Sequence, residues 1–181
     1  MSQTHTYAEP SRGTGGTSTL GSVLVLLAFL AISFAVAAFG TVSTIANVGG
    51  WYADAEKAPW SPPNLLFGPV WTALYTLMSV AAWLVWRRRG EPGAGRALRL
   101  YVVQLVLNCL WTPFFFGAFP LIGPSALWIG LAIIVALDVL VALTLLAFSH
   151  HSKPAAAMLV PYLLWVLFAT TLNAAVAVLN T

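Results

Sequence analysis

Charged side chains are scarce in this sequence. Only 7% of its 181 residues are Asp, Glu, Lys or Arg, whereas a soluble domain usually carries about 25%. The shortage excludes a chain whose surface mostly faces water. Charge is missing altogether from four long stretches, residues 13–53, 58–86, 100–137 and 154–181. A membrane-spanning helix needs about 20 apolar residues, so these stretches have room for more than four spans.

Cysteine and histidine are almost as rare. The single cysteine, Cys109, excludes an intrachain disulfide and a CxxC metal motif. His150 and His151 are adjacent, so on a helix their side chains point in different directions, and no metal site is predicted. The sequence also lacks an HExxH motif, a paired-carboxylate arrangement and a glycine-rich phosphate loop. Conventional acid–base or nucleophilic catalysis is therefore not expected.

The apolar runs predict an all-α membrane protein, a bundle of five transmembrane helices near residues 20–41, 65–86, 98–118, 125–148 and 155–179. The first inter-helix loop, residues 42–64, is long, and the other connections are short. Residues 1–19 are polar and rich in Gly, Ser and Thr, which is typical of a disordered tail. We expect residues 20–181 to form one transmembrane domain. The first run is too long for a secretory signal and is kept as a span.

Basic residues predict the orientation of the bundle. With five spans, seven of the eight Lys and Arg residues fall on one side, and only Lys57 falls on the other. The positive-inside rule then places the N-terminus in the cytoplasm and the C-terminus outside. The alternative is a polybasic site for anionic lipid or nucleic acid. Topology is the favoured interpretation, and no nucleic-acid partner is expected.

Aromatic residues concentrate in one segment. Residues 51–89 hold five of the eight tryptophans: Trp51, Trp60, Trp71, Trp83 and Trp86. Three prolines stiffen the part of this segment that belongs to the predicted loop 42–64. Its tryptophans Trp51 and Trp60 could form a lid over a flat apolar ligand, or anchor the loop at the lipid headgroups. The two roles are compatible, and both stay open.

Three predicted spans carry polar and aromatic side chains at helical spacing. In the third span an amide buried in hydrocarbon must find a partner, so its polar face should point into the bundle, either as a bond between helices or as a pocket wall. The second and fifth spans carry similar stripes, which by themselves indicate packing as readily as a ligand site. The three faces are Gln104, Asn108, Trp111 and Phe115; Trp71, Tyr75, Met78 and Ala82; and Tyr162, Trp165, Ala169 and Asn173.

Asp138 lies near the middle of the fourth predicted span. A carboxylate at that depth is costly and is a candidate for function. It could relay protons, balance a cation, or remain protonated and bond to a neighbouring helix. No Lys or Arg lies at a matching depth, so a buried ion pair is not expected.

Five segments together resemble the TspO/MBR family, the tryptophan-rich sensory and translocator proteins once called peripheral benzodiazepine receptors. They are WYADAEKAPWSPP (51–63), FGPVWTALYTLM (67–78), AAWLVW (81–86), QLVLNCLW (104–111) and LVPYLLWVLFATTLN (159–173). The resemblance covers everything from the first span to the end. It implies a five-helix bundle, often a homodimer, with a pocket beneath the first loop that takes porphyrins and benzodiazepine-type ligands. Bacterial members imply a bacterial plasma membrane.

The resemblance also assigns pocket positions. The pocket tryptophans fall on Trp71 and Trp165, the third-helix polar position on Asn108 with Trp111 one turn on, and the small fifth-helix position on Ala169. Tyr75 and Tyr162 complete the expected ligand-binding set. The expected ligand is a porphyrin or haem-pathway tetrapyrrole, and no cofactor is required.

Two departures limit the transfer. Animal members carry a cholesterol-recognition segment with a Tyr and a later Arg, and the matching stretch here, LNAAVAVLN (172–180), has neither. Many relatives have an Asp early in the fourth helix. Alignment puts Ile133 there, so the role of Asp138 cannot be taken from them.

The sequence thus predicts a membrane protein that binds a tetrapyrrole as sensor, scavenger or regulator of tetrapyrrole traffic. Two other functions stay open. One is light-dependent porphyrin degradation, as in some bacterial members, with Trp71 and Trp165 as the catalytic residues. The other is small-molecule transport using Asp138. For the expected homodimer, the small residues Ala155, Ala156 and Ala157 or the face bearing Gly117 could allow close packing.

Overall fold

A computed structural model describes residues 19–181, and the predicted tail lies outside the described residues except for Thr19, which begins the first helix. Five helices are long and apolar enough to cross a membrane, and no strand occurs between residues 19 and 181. The predicted all-α class is confirmed. The long helices are α1 (Thr19–Val48), α2 (Phe67–Trp86), α3 (Ala94–Thr112), α4 (Ser125–Ser149) and α5 (Lys153–Leu179).

The first helix continues past residue 41 to Val48, so the predicted loop 42–64 is really residues 49–63. Polar residues near and beyond the predicted end of this span are helical, and their side chains bond backward to carbonyls of the same helix. Thr41 Oγ1 donates to Ala37 O at 2.8 Å, Thr44 Oγ1 to Gly40 O at 2.9 Å, and Asn47 Nδ2 to Ser43 O at 2.9 Å. Such bonds let hydroxyl and amide groups sit in an apolar helix without unpaired donors. Gly49 and Gly50 then end α1.

The shortened loop is itself structured. A single helical turn covers Trp51–Asp54, and a 3₁₀ turn, Asn64–Leu66, leads directly into α2. The prolines between these turns cannot continue a helix.

The third helix changes its winding at Pro113. Residues Pro113–Gly117 form a turn of π-helix, and a short helix, Phe119–Ile122, follows. The Ala118 amide donates to Pro113 O at 2.9 Å, the five-residue step of that winding. The π-turn directly extends α3, and such turns often occur at functional sites.

The packing order sets the shape of the bundle. Helix α4 packs on α3 and α5, α2 packs on α1 and α5, and the π-turn lies against both α1 and α4. The core fills the space between α2, α3, α4 and α5 with side chains such as Met78, Leu127 and Leu159, which are at most 1% exposed. Ala155 and Ala156 are buried in this core, so they are not available for packing between subunits as the sequence suggested.

Helix α1 is the least buried of the five. A small polar cluster joins it to its neighbours. Ser33 Oγ lies 3.0 Å from Tyr101 Oη and 2.8 Å from Ser79 Oγ. Hydroxyl groups that bond across helices are a common source of attraction in membrane bundles. This cluster therefore fixes α1 against α2 and α3 at mid-depth.

Candidate functional site

A cavity of about 530 Å³ opens where α1 ends and α2 begins. Its volume lies within the range of about 300–1,000 Å³ typical of small-molecule sites. The walls come from α1, residues 49 and 52 of the loop, residue 64 of the 3₁₀ turn, α2, α3 with its π-turn, and α5. Seven aromatic side chains line it: Tyr52, Phe67, Trp71, Tyr75, Trp111, Phe115 and Phe116.

Five of the seven predicted ligand-binding residues lie on these walls. They are Trp71, Tyr75, Asn108, Trp111 and Ala169. The polar face of α3 points into the bundle as expected, since Gln104, Asn108 and Trp111 are at most 9% exposed. Tyr162 and Trp165 are not among the lining residues and form a second layer behind the cavity. Whether any of these residues binds a ligand stays a prediction.

A chain of hydrogen bonds runs from the cavity wall into the core. Tyr75 Oη donates to Asn108 Oδ1 at 2.5 Å, Asn108 Nδ2 donates to Tyr162 Oη at 3.1 Å, and Tyr162 Oη donates to Gln104 Oε1 at 2.9 Å. All four side chains are at most 5% exposed. The chain links α2, α3 and α5, so it holds the polar wall rigid. Gln104 Nε2 ends the chain without an acceptor among the described residues.

Two further hydrogen bonds fix the indole of Trp111, which lies about one turn after Asn108 on α3. Trp111 Nε1 donates to Asn173 Oδ1 at 3.0 Å, and Asn173 Nδ2 donates to Leu127 O at 3.1 Å. The ring of Trp111 also stacks on Phe115 with a centroid distance of 5.8 Å. Trp111 is therefore a pre-oriented aromatic wall whose N–H is already used within the protein.

Trp165 reaches the cavity only through another ring. Its centroid lies 5.7 Å from that of Phe67, which lines the cavity. Its indole N–H is buried and has no acceptor among residues 19–181. A buried indole N–H normally finds a partner, so this donor is unusual.

The two loop tryptophans lie differently from one another. Trp51 stacks on Phe119 at a centroid distance of 3.9 Å, and its Nε1 donates to Phe116 O at 2.9 Å. That carbonyl has no helical donor because the residue four positions on is Pro120, which has no N–H. Trp51 thus supplies the donor that the carbonyl of Phe116 lacks within the π-turn. Tyr52, beside it, is the loop aromatic that lines the cavity.

Trp60 is 54% exposed, and its Nε1 donates to Thr171 Oγ1 at 3.3 Å. It does not line the cavity. The lid and anchor roles predicted for Trp51 and Trp60 stay predictions.

Lys57 lies beside Tyr52, the loop residue that lines the cavity. Its Nζ donates to Ala53 O at 3.0 Å and Ala55 O at 3.1 Å, and it lies 4.9 Å from the ring centroid of Tyr52. Burial raises the pKa of the Tyr52 phenol, so this hydroxyl remains neutral at physiological pH. The loop therefore brings one cation beside a neutral aromatic wall.

Asp138 lies on α4 and does not line the cavity. Thr170 Oγ1 donates to its Oδ2 at 2.8 Å, which ties α5 to α4. Its Oδ1 is buried and has no partner among the described residues. Of the three roles open to it, a bond to the neighbouring helix is the one that a contact in the structure matches.

The first helix supplies a wall that the sequence reading missed. Gly40, Thr41 and Thr44 line the cavity together with Ile45 and Val48. A Cβ on Gly40 would lie 3.3 Å from Thr112 Oγ1, so glycine allows α1 to approach the end of α3 closely. The signal was present as small and hydroxyl residues recurring at helical spacing, but a loop start at residue 42 divided this face between the first span and the loop.

Comparisons with known proteins agree with this architecture. The sequence model of the TspO/MBR family matches residues 28–179. The chain is 44% identical to "Tryptophan-rich protein TspO" of Archaeoglobus fulgidus over 158 residues, which cover 87% of this chain and 95% of that protein. It is 37% identical to "Tryptophan-rich sensory protein" of Cereibacter sphaeroides over 145 residues, covering 80% and 86%.

A more distant group of organisms is represented as well. The human "Translocator protein" is 41% identical over 125 residues, which cover 68% of this chain and 70% of that protein. The family match runs from within α1 to the end of α5 and includes the loop that borders the cavity. The chain is therefore an integral membrane protein that belongs to the TspO/MBR family.

Proposed function

We propose that this protein binds a tetrapyrrole of the porphyrin or haem pathway in the cavity between its helices and acts as a sensor, scavenger or regulator of tetrapyrrole traffic. The observation that supports the proposal most directly is the set of seven aromatic side chains that line a cavity of about 530 Å³. A porphyrin is planar and largely apolar, so aromatic rings offer it stacking area and exclusion of water.

The polar groups of the cavity also suit such a ligand. Tyr75 and Asn108 contribute hydroxyl and amide groups on an otherwise apolar wall, as small-molecule sites commonly do. Lys57 lies at the loop end, where it can approach a propionate group that projects from the macrocycle. The aromatic side chains of the cavity therefore suit the apolar face of the macrocycle, and Lys57 suits its acidic edge.

A titration in the dark tests the proposal. Detergent-purified protein is titrated with protoporphyrin IX while tryptophan fluorescence is recorded. We expect saturable quenching, and we expect Trp71→Phe and Trp111→Phe to weaken binding because both rings line the cavity. Removing part of an aromatic contact of about 0.5–1.5 kcal/mol corresponds to a loss of roughly twofold to tenfold in affinity.

Trp128→Phe is the matched control. Trp128 lies on α4, is 47% exposed and does not line the cavity. Its replacement should change the total fluorescence but leave the dissociation constant unchanged. Quenching that does not saturate, or that weakens equally in all three variants, would mean that porphyrin only partitions into the micelle.

A second candidate function is light-dependent porphyrin degradation with dioxygen as the oxidant. The favouring observation is that Trp71 lines the cavity, while Trp165, whose N–H has no acceptor among residues 19–181, lies one ring behind, across Phe67. An indole next to a photoexcited macrocycle can exchange an electron with it. The sign of this activity is bleaching of the Soret band under light, with formation of a new product.

The two tryptophans should contribute unequally to that activity. Trp71→Phe should slow the bleaching more than Trp165→Phe, because only Trp71 is in contact with the cavity. Each rate is measured at saturating porphyrin, so that weaker binding does not mimic slower chemistry. Bleaching at the wild-type rate in the double variant would remove the photochemical hypothesis and leave the binding proposal intact.

Transport is not favoured by a contact in the structure. Asp138 was its main support in the sequence, and this residue bonds Thr170 outside the cavity walls.

A further inference from the structure

A second, smaller cleft lies at the arginine-rich end of the bundle, opposite the aromatic cavity. Its volume is about 340 Å³, and it lies between the end of α2 and the start of α5. The lining residues are Leu84, Arg87, Arg88, Ser152 and Pro154. Positive-inside topology explains why arginines occur at this end, but it does not explain a cleft that gathers two of them beside a helix start.

Arg87 is positioned by stacking. Its guanidinium lies 5.0 Å from the ring of Trp83, and Trp83 Nε1 donates to Ser22 O at 2.9 Å, which fixes that ring against α1. A guanidinium has five N–H donors. None of those of Arg87 has an acceptor among residues 19–181, so the group is oriented while its donors remain available.

Arg88 is positioned by an ion pair. Its Nη1 lies 3.5 Å from Glu91 Oε1, and Glu91 Oε2 lies 3.1 Å from His151 Nδ1. The Glu91 carboxylate therefore bridges the connection after α2 to the connection after α4. It also offsets part of the charge of Arg88, so Arg87 should carry the larger share of any attraction for an anion.

Ser152 adds a buried donor. This side chain is only 8% exposed, and its Oγ accepts the Ala155 N–H at 3.3 Å as the N-cap of α5. The hydroxyl proton has no acceptor in the described part of the chain, and Ser152 lines the cleft. The first turn of α5 adds the positive end of a helix dipole beside it.

We propose that this cleft binds the phosphate group of an anionic membrane lipid, such as phosphatidylglycerol. Two guanidinium groups and a serine hydroxyl would donate to the phosphate oxygens, and charge-assisted bonds of this kind are the strong ones. Leu84 and Pro154 provide an apolar border for the glycerol and the start of an acyl chain. Trp83 and Trp86 mark the depth of the lipid headgroups at the end of this span. Basic pockets between transmembrane helices suit such headgroups.

Native mass spectrometry of the full protein in detergent tests the site. The protein is titrated separately with phosphatidylglycerol and with phosphatidylcholine, and the bound fractions are compared. We expect a preference for phosphatidylglycerol in the wild type. Arg87→Gln should lower the affinity for phosphatidylglycerol about fivefold, since one Arg near a lipid surface is worth about 1 kcal/mol. Arg88→Gln should lower it less.

Arg96→Gln is the matched control. It removes the same charge from the same end of the protein, but Arg96 is exposed on α3 and does not line the cleft. Equal losses in Arg87→Gln and Arg96→Gln would show a diffuse surface charge and overturn the proposal. So would an absence of lipid preference in the wild type.

Inorganic phosphate separates the lipid from a soluble anion. If millimolar phosphate displaces phosphatidylglycerol completely, the cleft is a site for free phosphate and the proposal is wrong; a retained lipid adduct supports it. Circular dichroism and porphyrin titration of each variant serve as folding controls, because the aromatic cavity lies at the other end of α2.

Discussion

Asn108 offers the sharpest test of the hydrogen-bond chain at the cavity wall. It accepts from Tyr75 at 2.5 Å and donates to Tyr162 at 3.1 Å. Replacing Asn108 with Leu removes both bonds and keeps the branched shape of the side chain, with the same number of heavy atoms. Tyr162 still has Gln104 as a partner at 2.9 Å, but the Tyr75 hydroxyl loses its partner on the protein.

The expected magnitude follows from these contacts. Hydrogen bonds between helices in membranes average about 0.6 kcal/mol, so the two bonds contribute about 1.2 kcal/mol. An unpaired buried hydroxyl adds about 1–3 kcal/mol. Asn108→Leu should therefore lower the free energy of unfolding by about 2–4 kcal/mol.

The sign of a second substitution decides whether this reasoning holds. Tyr75→Phe should destabilise the wild type, because it takes a donor from Asn108. In the Asn108→Leu background the same change should stabilise, because it removes the unpaired hydroxyl. Unfolding in mixed micelles with increasing SDS, followed by circular dichroism, measures all four proteins.

Tyr101→Phe provides the control for this cycle. Its hydroxyl bonds Ser33 and belongs to the separate cluster that holds α1. It should have the same effect in both backgrounds to within about 0.5 kcal/mol. If Tyr75→Phe is also additive, the coupling between Tyr75 and Asn108 is absent and the chain does not stabilise the wall.

Three further predictions concern the cavity and its surroundings. In Gly130→Ala the new Cβ would lie 3.2 Å from Phe115 Cβ and 3.3 Å from its Cα, so overpacking should lower stability by about 1–3 kcal/mol, less the helix gain of up to about 1 kcal/mol. The control Gly95→Ala meets nothing within 4 Å and should not be destabilising. Equal SDS midpoints for the two variants would contradict the overpacking of Gly130→Ala. Lys57→Gln should weaken dark binding of protoporphyrin IX about twofold to fivefold but leave its dimethyl ester unaffected, and an equal effect on both ligands would refute a role with propionates. Asp138→Asn should leave the dissociation constant for porphyrin unchanged, because residue 138 lies outside the cavity, and a clear loss in the same titration would place it in the site.

The spans could be predicted from the sequence because every backbone N–H and C=O in hydrocarbon must be bonded within the protein, so long apolar runs become helices. The end of α1 could not. Thr44 and Asn47 fell in the predicted loop, whereas both are helical and their side chains bond carbonyls within the helix. A hydropathy scale scores each polar side chain by its type and does not include the hydrogen bonds that the side chain can make to nearby backbone carbonyls.

The polar face of α3 was predicted correctly because its spacing and its buried amides demand inward placement. The layer to which each residue belongs was not predictable. Trp71 lines the cavity and Trp165 lies behind Phe67, although both belong to similar aromatic stripes. Whether a side chain lines the cavity or lies behind its wall depends on how two helices are rotated relative to each other. Periodicity within one helix carries no information about this rotation.

The bond from Trp51 to the carbonyl of Phe116 bears on how fast a ligand could leave. Lifting the loop of residues 49–63 off the bundle would expose that carbonyl to apolar surroundings, at about 1–3 kcal/mol, and would unstack Trp51 from Phe119, at about 0.5–1.5 kcal/mol. These costs sum to about 1.5–4.5 kcal/mol, so the lifted state is occupied roughly 0.05–8% of the time. Any ligand that departs beneath this loop must wait for such an opening, so its residence time would depend on an indole that does not line the cavity.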